Sequence, residues 1–537
     1  MNTLHLHTTE DDIRTAAQLL QQGRAVGIPT ETVYGLAADA RDPAAVASIF
    51  EAKGRPQDNP LIVHIASMEQ LAPLVQEIPP LARKLAKAFW PGPLTMIFRR
   101  ADTLPASVSA GLPTVAIRMP SHPVARKLIL RSGCPLAAPS ANTSGRPSPT
   151  TAGHVLDDLG GRIAAVVDAG PCSVGVESTV IDVTTQPVRL YRPGAVTVEM
   201  LETVAGPVEV SHAVTENLAP GEKALSPGMK YKHYAPRAAV GIITGTPRAY
   251  VDFVNRHAGP GVTALCFEQD APRLRVPTVC YGSRGNDLSQ AQELFDALRE
   301  LDRIDARTVY AACPHTAGVG LAVYNRLLRA AGFAVRTLPF VIGLTGPTGA
   351  GKGEVARRLA EQGCRHVDTD RLAHQATEPG SPCLQELAQA FSPQILRPDG
   401  SLDRAGLAER AFRTEEGRRT LNAIVHPYVT EQVQNILEQA TEPFVVIDAP
   451  LLFEAQMHRI CDVTVAVLAD ASERRRRIRE RDHLAEEAAA LRMQAQPDDE
   501  FYLQRADVVL RNDDTLDTLF ARTDALLWKW QQEEEDE

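Results

Sequence analysis

Apolar and polar residues fall into short blocks along this chain, and the period of the blocks changes often. Over residues 12–23, Ile13, Ala16, Ala17, Leu19 and Leu20 recur at helical spacing, so a helix is predicted there. Ala25-Val26-Gly27-Ile28 is a continuous apolar run ending at Pro29, the mark of a short buried strand. A second helix starts at Asp42-Pro43 and runs through 46–50. Asp42 caps it and Pro43 suits its first turn. Further strands are predicted at 61–65, 95–98, 115–118, 164–168 and 178–183. Residues 1–205 therefore read as a mixed α/β domain. Residues 206–236 lack a regular period and are punctuated by Pro220-Gly221, Pro227-Gly228 and Pro236, so they read as a linker. Its Met229-Lys230-Tyr231-Lys232-His233-Tyr234 stretch is too aromatic for an inert tether. Over 237–338, strands at 240–243 and 262–267 alternate with helices at 289–302 and 320–331, the order of a small doubly wound α/β domain. No internal repeat is visible.

From residue 340 the pattern changes character. The apolar run Val341-Ile342-Gly343-Leu344 leads into Gly346-Pro347-Thr348-Gly349-Ala350-Gly351-Lys352 and then an amphipathic segment. Strand, glycine loop and helix in that order are what a phosphate-binding loop requires. Successive N–H groups of Gly346, Gly349, Ala350, Gly351 and Gly353 curl around a phosphate, the helix N-terminus adds partial positive charge, and Lys352 adds a full one. Asp368 and Asp370 end a second predicted strand, Asp448 ends a third, and 463–468 is a fourth. One of these carboxylates is placed to take a proton from an attacking hydroxyl or to orient magnesium. Arg474 to Arg477, Arg479 and Arg481 form a basic cluster on a predicted helix. Most of it reads as a solvated face, with one or two arginines reaching the phosphates as a lid. Residues 340–537 thus read as a P-loop kinase domain with a parallel sheet.

The front domain is rich in polar strings at strand ends: Thr30 to Leu36, Lys53-Gly54-Arg55-Pro56 with Asn59-Pro60, Pro139 to Gly145, Val176 to Val180, and Leu190 to Gly194. Each alone is ordinary turn composition. Five in one domain point to a polyanion site. Lys53 and Arg55 reach one triphosphate if their segment is extended, and Ser140, Asn142 and Ser144 supply hydroxyl and amide groups. No Cys–His or Ser–His pair suggests a covalent nucleophile, and no His/Cys cluster suggests zinc. His64, on an apolar strand, is open to reading as a core histidine. The 237–338 segment carries no catalytic constellation, and Asn325 and Arg326 on its last helix are open to a surface reading.

Composition narrows the class. Hydrophobic content of 44% and charged content of 23% are those of a globular protein, and no apolar run approaches the ~20 residues of a membrane span. The polar N-terminus does not read as a secretory signal, and eight cysteines without a CxxC pair read as reduced thiols of a cytoplasmic protein. The net charge of −10 is uneven: about −13 lies beyond residue 340 and about +3 before it. Neither part is basic enough for a dedicated nucleic-acid binder, so strong direct binding of RNA, tRNA included, is not expected from charge.

The front strings resemble the YrdC-like family, the L-threonylcarbamoyladenylate synthases. Lys53-x-Arg55 and Ser140-x-Asn142 match that family's paired signature, and Ser226 to Pro236 resembles the linker of its two-domain form. The resemblance covers residues 10 to about 338. It implies synthesis of threonylcarbamoyl-AMP from L-threonine, bicarbonate and ATP, with release of pyrophosphate, and downstream tRNA-modifying proteins as partners. It also implies threonine contacts from Thr32, His64, Arg118, Ala138 and Ser178. ATP contacts would come from Arg55, Asn59, Thr114, Ser140, Ser148, Arg192 and Tyr234, with Lys53 on the phosphates and the linker folded over the cleft. Lys53, Arg55, Ser140 and Asn142 are then the catalytic set.

The rear domain resembles dephospho-CoA kinase, through Asp368-x-Asp370, Leu402-Asp403-Arg404, His426-Pro427, Pro450 to Glu454, Arg477-x-x-x-Arg481-Asp482 and Arg492-Met493-x-x-Gln496. The implied reaction is phosphorylation of the ribose 3′-hydroxyl of dephospho-CoA. Asp370 is then the base or the group that orients the hydroxyl, Lys352 the phosphate cation, and Arg477 and Arg481 lid residues, with Mg²⁺ held through water or by Asp368 and Asp448. One departure stands out: Gly353 follows Lys352 where the family usually has a hydroxyl, and Glu354 comes next. This feeds a rival reading in which the rear domain binds nucleotide without full activity. A second rival makes the front a non-catalytic RNA-binding module.

Overall fold

A computed structural model describes residues 2–217 and 233–536. The chain forms two compact units, Met1–Ile243 with Phe253–Arg336, and Thr244–Asp252 with Thr337–Glu537.

The first unit contains one large sheet. Its strands are β1 (Leu4–Leu6), β2 (Val26–Ile28), β3 (Gly35–Asp39), β4 (Ile62–His64), β5 (Leu94–Arg99), β6 (Thr114–Arg118), β7 (Leu136–Ala137), β8 (Ala165–Val167), β9 (Thr179–Asp182), β10 (Val188–Arg192) and β11 (Val208–Val210). They lie in the order β1-β8-β2-β3-β7-β4-β6-β5-β9-β10-β11, with parallel and antiparallel pairs mixed. The predicted first helix spans Glu10–Gln21 and buries Ile13, Ala16, Ala17 and Leu20. Thr9 caps it, its hydroxyl accepting from Asp12 N at 3.3 Å. The second helix, Pro43–Lys53, is capped by Asp42, whose carboxylate accepts from Ala44 N at 2.9 Å. Ile49, Phe50, Val63, Met96, Phe98 and Ile117 belong to the core beneath the sheet. Burying each contributes about 1.5–3 kcal/mol.

A second sheet in this unit has β12 (Ala239–Thr244), β13 (Val262–Cys266), β14 (Thr278–Cys280), β15 (Thr308–Ala312) and β16 (Val335–Thr337), in the order β14-β13-β15-β12-β16. The pairs β12–β15, β13–β15 and β13–β14 are parallel, as a doubly wound domain requires. Its helices Asp287–Arg303 and Gly320–Ala331 turn arginines toward the first sheet's side of the unit. Arg299 meets the Asp158 carboxylate at 3.0 and 3.2 Å.

The other unit holds β17 (Phe340–Thr345), β18 (Arg365–Asp368), β19 (Phe444–Asp448), β20 (Val463–Leu468) and β21 (Val508–Arg511), in the order β18-β19-β17-β20-β21 with every neighbouring pair parallel. The strand before the glycine loop is central. Strand order reverses there, which opens a crevice at the carboxyl ends of the strands.

Two readings change. The segment 206–236 is not wholly irregular, because β11 pairs in parallel with β10. Residues 218–232, most of the aromatic stretch included, lie outside the described residues. The string Thr30 to Leu36 also runs into a strand that the pattern does not predict: Gly35 begins β3, antiparallel to β2. Among the described residues no helix is long and apolar enough to cross a membrane.

Candidate active sites

The first unit has a polar cleft with a cavity of about 60 Å³. Thr32, Lys53, Arg55, His64, Arg118, Ala138, Ser140, Asn142, Ser178, Arg192 and Tyr234 all line it. Five sequence strings, far apart in the chain, thus meet at one place. Asn59, Thr114 and Ser148 do not line the cavity. Asn59 is buried beside it, and its carbonyl Oδ1 has no hydrogen-bond partner. Thr114 sits at the opposite end of β6 from Arg118. Ser148 lies behind the wall and donates to Glu177 Oε1 at 2.5 Å.

Parallel pairing of β4 and β6 sets His64 beside Arg118. Arg118 Nη1 donates to Thr32 Oγ1 at 2.8 Å, and Nη2 lies 2.7 Å from Glu31 Oε1. That second contact is close but not aligned as a hydrogen bond, so Arg118 Nη2 keeps bonding capacity toward a ligand. Burial opposes ionisation of Glu31, yet Arg118 holds its carboxyl below the ordinary value. His64 is pushed down to about 3 by burial, with Arg118 adding to the effect, so it works as a neutral imidazole.

Lys53 departs from the extended-segment expectation. It is the last residue of its helix, because Gly54 adopts φ 60° and ends the helix in a left-handed turn. Its Nζ donates to the carbonyls of Ser140 and Asn142, both at 2.5 Å. Lys53 therefore fastens the Ser140–Asn142 loop from below, and Ser140 Oγ donates to Asn142 Oδ1 at 2.6 Å. Burial, then Arg55, lowers the Lys53 pKa well below its ordinary value. Arg55 and Arg192 are each lowered to about 10, chiefly by burial. They remain cationic at neutral pH.

Glu177 and Tyr234 close the other wall. Burial, aided by Glu177, raises Tyr234 to about 12. Its ring packs 5.1 Å from that of Phe295. Arg326 is not a surface residue: it is fully buried, with Nε 2.9 Å from Glu177 Oε2 and Nη2 donating to the Glu177 backbone carbonyl at 3.1 Å. Asn325 is also buried and donates to the Val214 carbonyl at 2.6 Å.

In the other unit, Gly351 caps the helix Lys352–Glu361 at φ 100°, where a Cβ would stand 2.2 Å from Asn512 Nδ2. Only glycine fits. Gly353 differs, since a Cβ there would meet nothing within 4 Å. Glu354 is exposed and paired with Arg357 at 2.8 Å, directed along the helix surface rather than into the loop. Lys352 Nζ is ion-paired with Asp448, which also contacts His366 Nε2 at 3.2 Å. Although burial opposes it, His366 and Lys352 hold the Asp448 carboxyl below its ordinary value. Asp368 is the register partner of Asp448 and caps the next helix, accepting from Asp370 N at 2.9 Å. Burial raises the Asp370 carboxyl; Lys352 opposes the rise, and Asp368 and Asp448 add to it. Asp370 faces a cavity of about 360 Å³, mainly apolar, that also presents His374, Arg404 and His426.

The two lid arginines separate. Arg477 Nη2 donates to the Asn512 carbonyl at 3.1 Å and Nη1 to the Gly349 carbonyl at 3.4 Å, so it sits on the loop. Arg481 instead pairs with Asp482 at 2.8 Å and is exposed. Arg474, buried, donates to the Thr348 carbonyl at 3.2 Å, and Gln496 exchanges hydrogen bonds with Thr348 at 2.8 and 2.9 Å.

Comparison with known proteins places each region of the chain in a family. A family model described as "Telomere recombination" matches residues 18–194, one for the "Threonylcarbamoyl-AMP synthase, C-terminal domain" matches 196–332, and one for "Dephospho-CoA kinase" matches 340–518. The threonylcarbamoyl-AMP synthase of Bacillus subtilis is 47% identical over 334 residues, which is 62% of this chain and 96% of that one. The dephospho-CoA kinase of Corynebacterium glutamicum is 43% identical over 189 residues, 35% of this chain and 94% of that one. The chain belongs to both families, the synthase in front and the kinase behind. The crystal structure of P. abyssi Sua5 complexed with L-threonine aligns with TM-score 0.59 and 42% identity, covering 63% of this chain and all of that one.

The synthase–kinase fusion is thus a bifunctional transferase. Sequence reading alone missed Glu177 as a cleft residue, although it lies within one of the strings that drew attention. It also missed Asn512, which donates to the Ala350 carbonyl at 2.7 Å. Asn512 stands just past β21 with no motif around it, and only strand order brings it under the glycine loop.

Proposed function

We propose that the front cleft makes L-threonylcarbamoyladenylate from L-threonine, bicarbonate and ATP, releasing pyrophosphate, and that the rear site moves the γ-phosphoryl of ATP to the ribose 3′-hydroxyl of dephospho-CoA. The observation that carries the first half is the convergence of Thr32, His64 and Arg118 on one wall with Arg55, Arg192 and Tyr234 on the other. Arg118 suits the threonine carboxylate, and neutral His64 offers a hydrogen bond without a competing charge. Arg55 and Arg192 suit the nucleotide phosphates as attack by the carbamate oxygen on the α-phosphate builds charge there. Lys53 acts through the Ser140–Asn142 loop that it holds. Tyr234 at the mouth keeps water from a labile carbamate. The Pyrococcus relative was crystallised in complex with L-threonine, which supports the same amino acid here.

In the rear site, Asp370 lies between the glycine loop and the apolar cavity, where it accepts the proton of the acceptor hydroxyl. Lys352, Arg477 and the loop N–H groups receive the donor phosphates. Mg²⁺ fits this corner. Asp368 and Asp448 end adjacent strands and offer hard oxygen donors, and such a cation needs only one or two carboxylates beside water and phosphate oxygen. When bound, it neutralises phosphate charge.

The test is product analysis on the full chain. Pyrophosphate and threonylcarbamoyl-AMP should appear only with threonine, bicarbonate and ATP, and ADP should rise when dephospho-CoA is added. Pyrophosphate release independent of threonine, or no ADP with dephospho-CoA, rejects the corresponding half.

A further inference from the structure

Outside the synthase cleft, β1 carries His5, and His7 follows one residue after the strand ends at Leu6. Leu6 between them is buried, whereas both imidazoles are exposed and lie close together. β8 runs parallel to β1 with Leu6 opposite Val167, and the next residue is Asp168. His5 Nε2 lies 3.1 Å from Asp168 Oδ2, and the two rings are 5.1 Å apart. Ligand atoms of His5, His7 and Asp168 all lie within 4.8 Å of one another, the single such trio of His, Cys, Asp or Glu among the described residues. The trio escapes a reading of the sequence because the carboxylate arrives more than 160 residues after the imidazoles.

The trio is held in place. Asp168 N donates to the Leu6 carbonyl at 2.8 Å, and Asp168 Oδ1 accepts from Gly170 N at 3.0 Å. The carboxylate is therefore oriented by backbone while its other oxygen faces His5. The His7 backbone N–H donates to Asp12 Oδ2 at 3.0 Å, which fixes the end of β1.

We propose that His5, His7 and Asp168 form a binding site for a divalent transition metal of the Zn²⁺ class. Two imidazoles and one carboxylate are three of the ligands that Zn²⁺ takes at about 2.0–2.2 Å, and the two exposed imidazoles must close onto the ion to reach that distance. The fourth position faces solvent and takes water or an exogenous ligand. A bound ion clips β1 to β8. The turn after β8 holds the Tyr34 hydroxyl, through Ala169 N at 3.1 Å and the Gly170 carbonyl at 2.7 Å, so the ion also stiffens the support beneath that residue.

The test is calorimetric titration of the metal-stripped full chain with Zn²⁺ in a non-coordinating buffer, beside His7→Gln and Asp168→Asn, with melting temperature and the visible spectrum of the Co²⁺ form as second readouts. The wild type should bind one equivalent more than either variant. Zn²⁺ should raise its melting temperature, and its Co²⁺ bands of four-coordinate character should be lost in the variants. Equal stoichiometry in all three proteins, or unchanged Co²⁺ bands in the variants, overturns the site.

Discussion

Arg326 Nε lies 2.9 Å from Glu177 Oε2, joining the last helix of the second α/β domain to the wall of the synthase cleft through two buried charges. Although its own burial opposes it, Arg326, with help from Arg192 and Ser148, holds the Glu177 carboxyl below its ordinary value. Arg326→Met leaves Glu177 buried with its main partner gone, which costs about 3–5 kcal/mol. Denaturant unfolding should show that loss, and adding Glu177→Gln should recover much of it. Equal stability of wild type and Arg326→Met contradicts the pairing.

The open space at Gly353 carries a second prediction. At Gly353 there is open space for the Cβ of a serine, and Glu354 is already turned aside by Arg357. The steady-state kinase rate should stay the same or rise. A large loss would show a loop adapted to glycine.

A third concerns Asp370. A general base must be deprotonated, and this carboxyl is raised by burial. The kinase rate should therefore fall as pH drops through a value above the ordinary carboxylate one. Asp370→Asn should lower kcat about 10²–10⁴-fold with little change in the dephospho-CoA KM. A pH–rate profile and KM that both match wild type would remove Asp370 from the chemistry.

A fourth is a pH effect on folding. His64 binds its proton at about 3 in the folded state against an ordinary 6.5, so between those values the unfolded chain holds more protons. The contribution of neutral His64 is intact above 6.5 and is lost as pH falls below it. Unfolding measured at pH 7.5 and 5.5 should show a smaller acid loss in His64→Gln than in wild type. An identical loss in both would mean that His64 does not titrate as a buried base.

Much of this was legible in the sequence, for physical reasons that also mark where legibility stops. Helix and strand periods located Glu10–Gln21 and Val463–Leu468 because each carries a clear apolar period. β3 escaped because Gly35-Leu36-Ala37-Ala38-Asp39 is buried almost throughout and has no β-branched residue. The cleft was legible where a string bears its own chemistry, as at Ser140-x-Asn142. Glu177, Arg326, Asn512 and the Asp168 trio were not, since their meaning depends on partners distant in the chain. Lys53 shows a subtler limit: its proximity to the cleft was readable, but its grip on two carbonyls depends on the left-handed turn at Gly54.

The central claim is that one polypeptide holds two ATP-using sites that work separately. The most direct measurement follows pyrophosphate and ADP together in the full chain and in two variants, Arg55→Ala and Lys352→Ala, with all substrates present. Arg55→Ala should abolish threonine-dependent pyrophosphate and spare dephospho-CoA-dependent ADP, and Lys352→Ala should do the reverse. Loss of both products in either correctly folded variant would contradict the account.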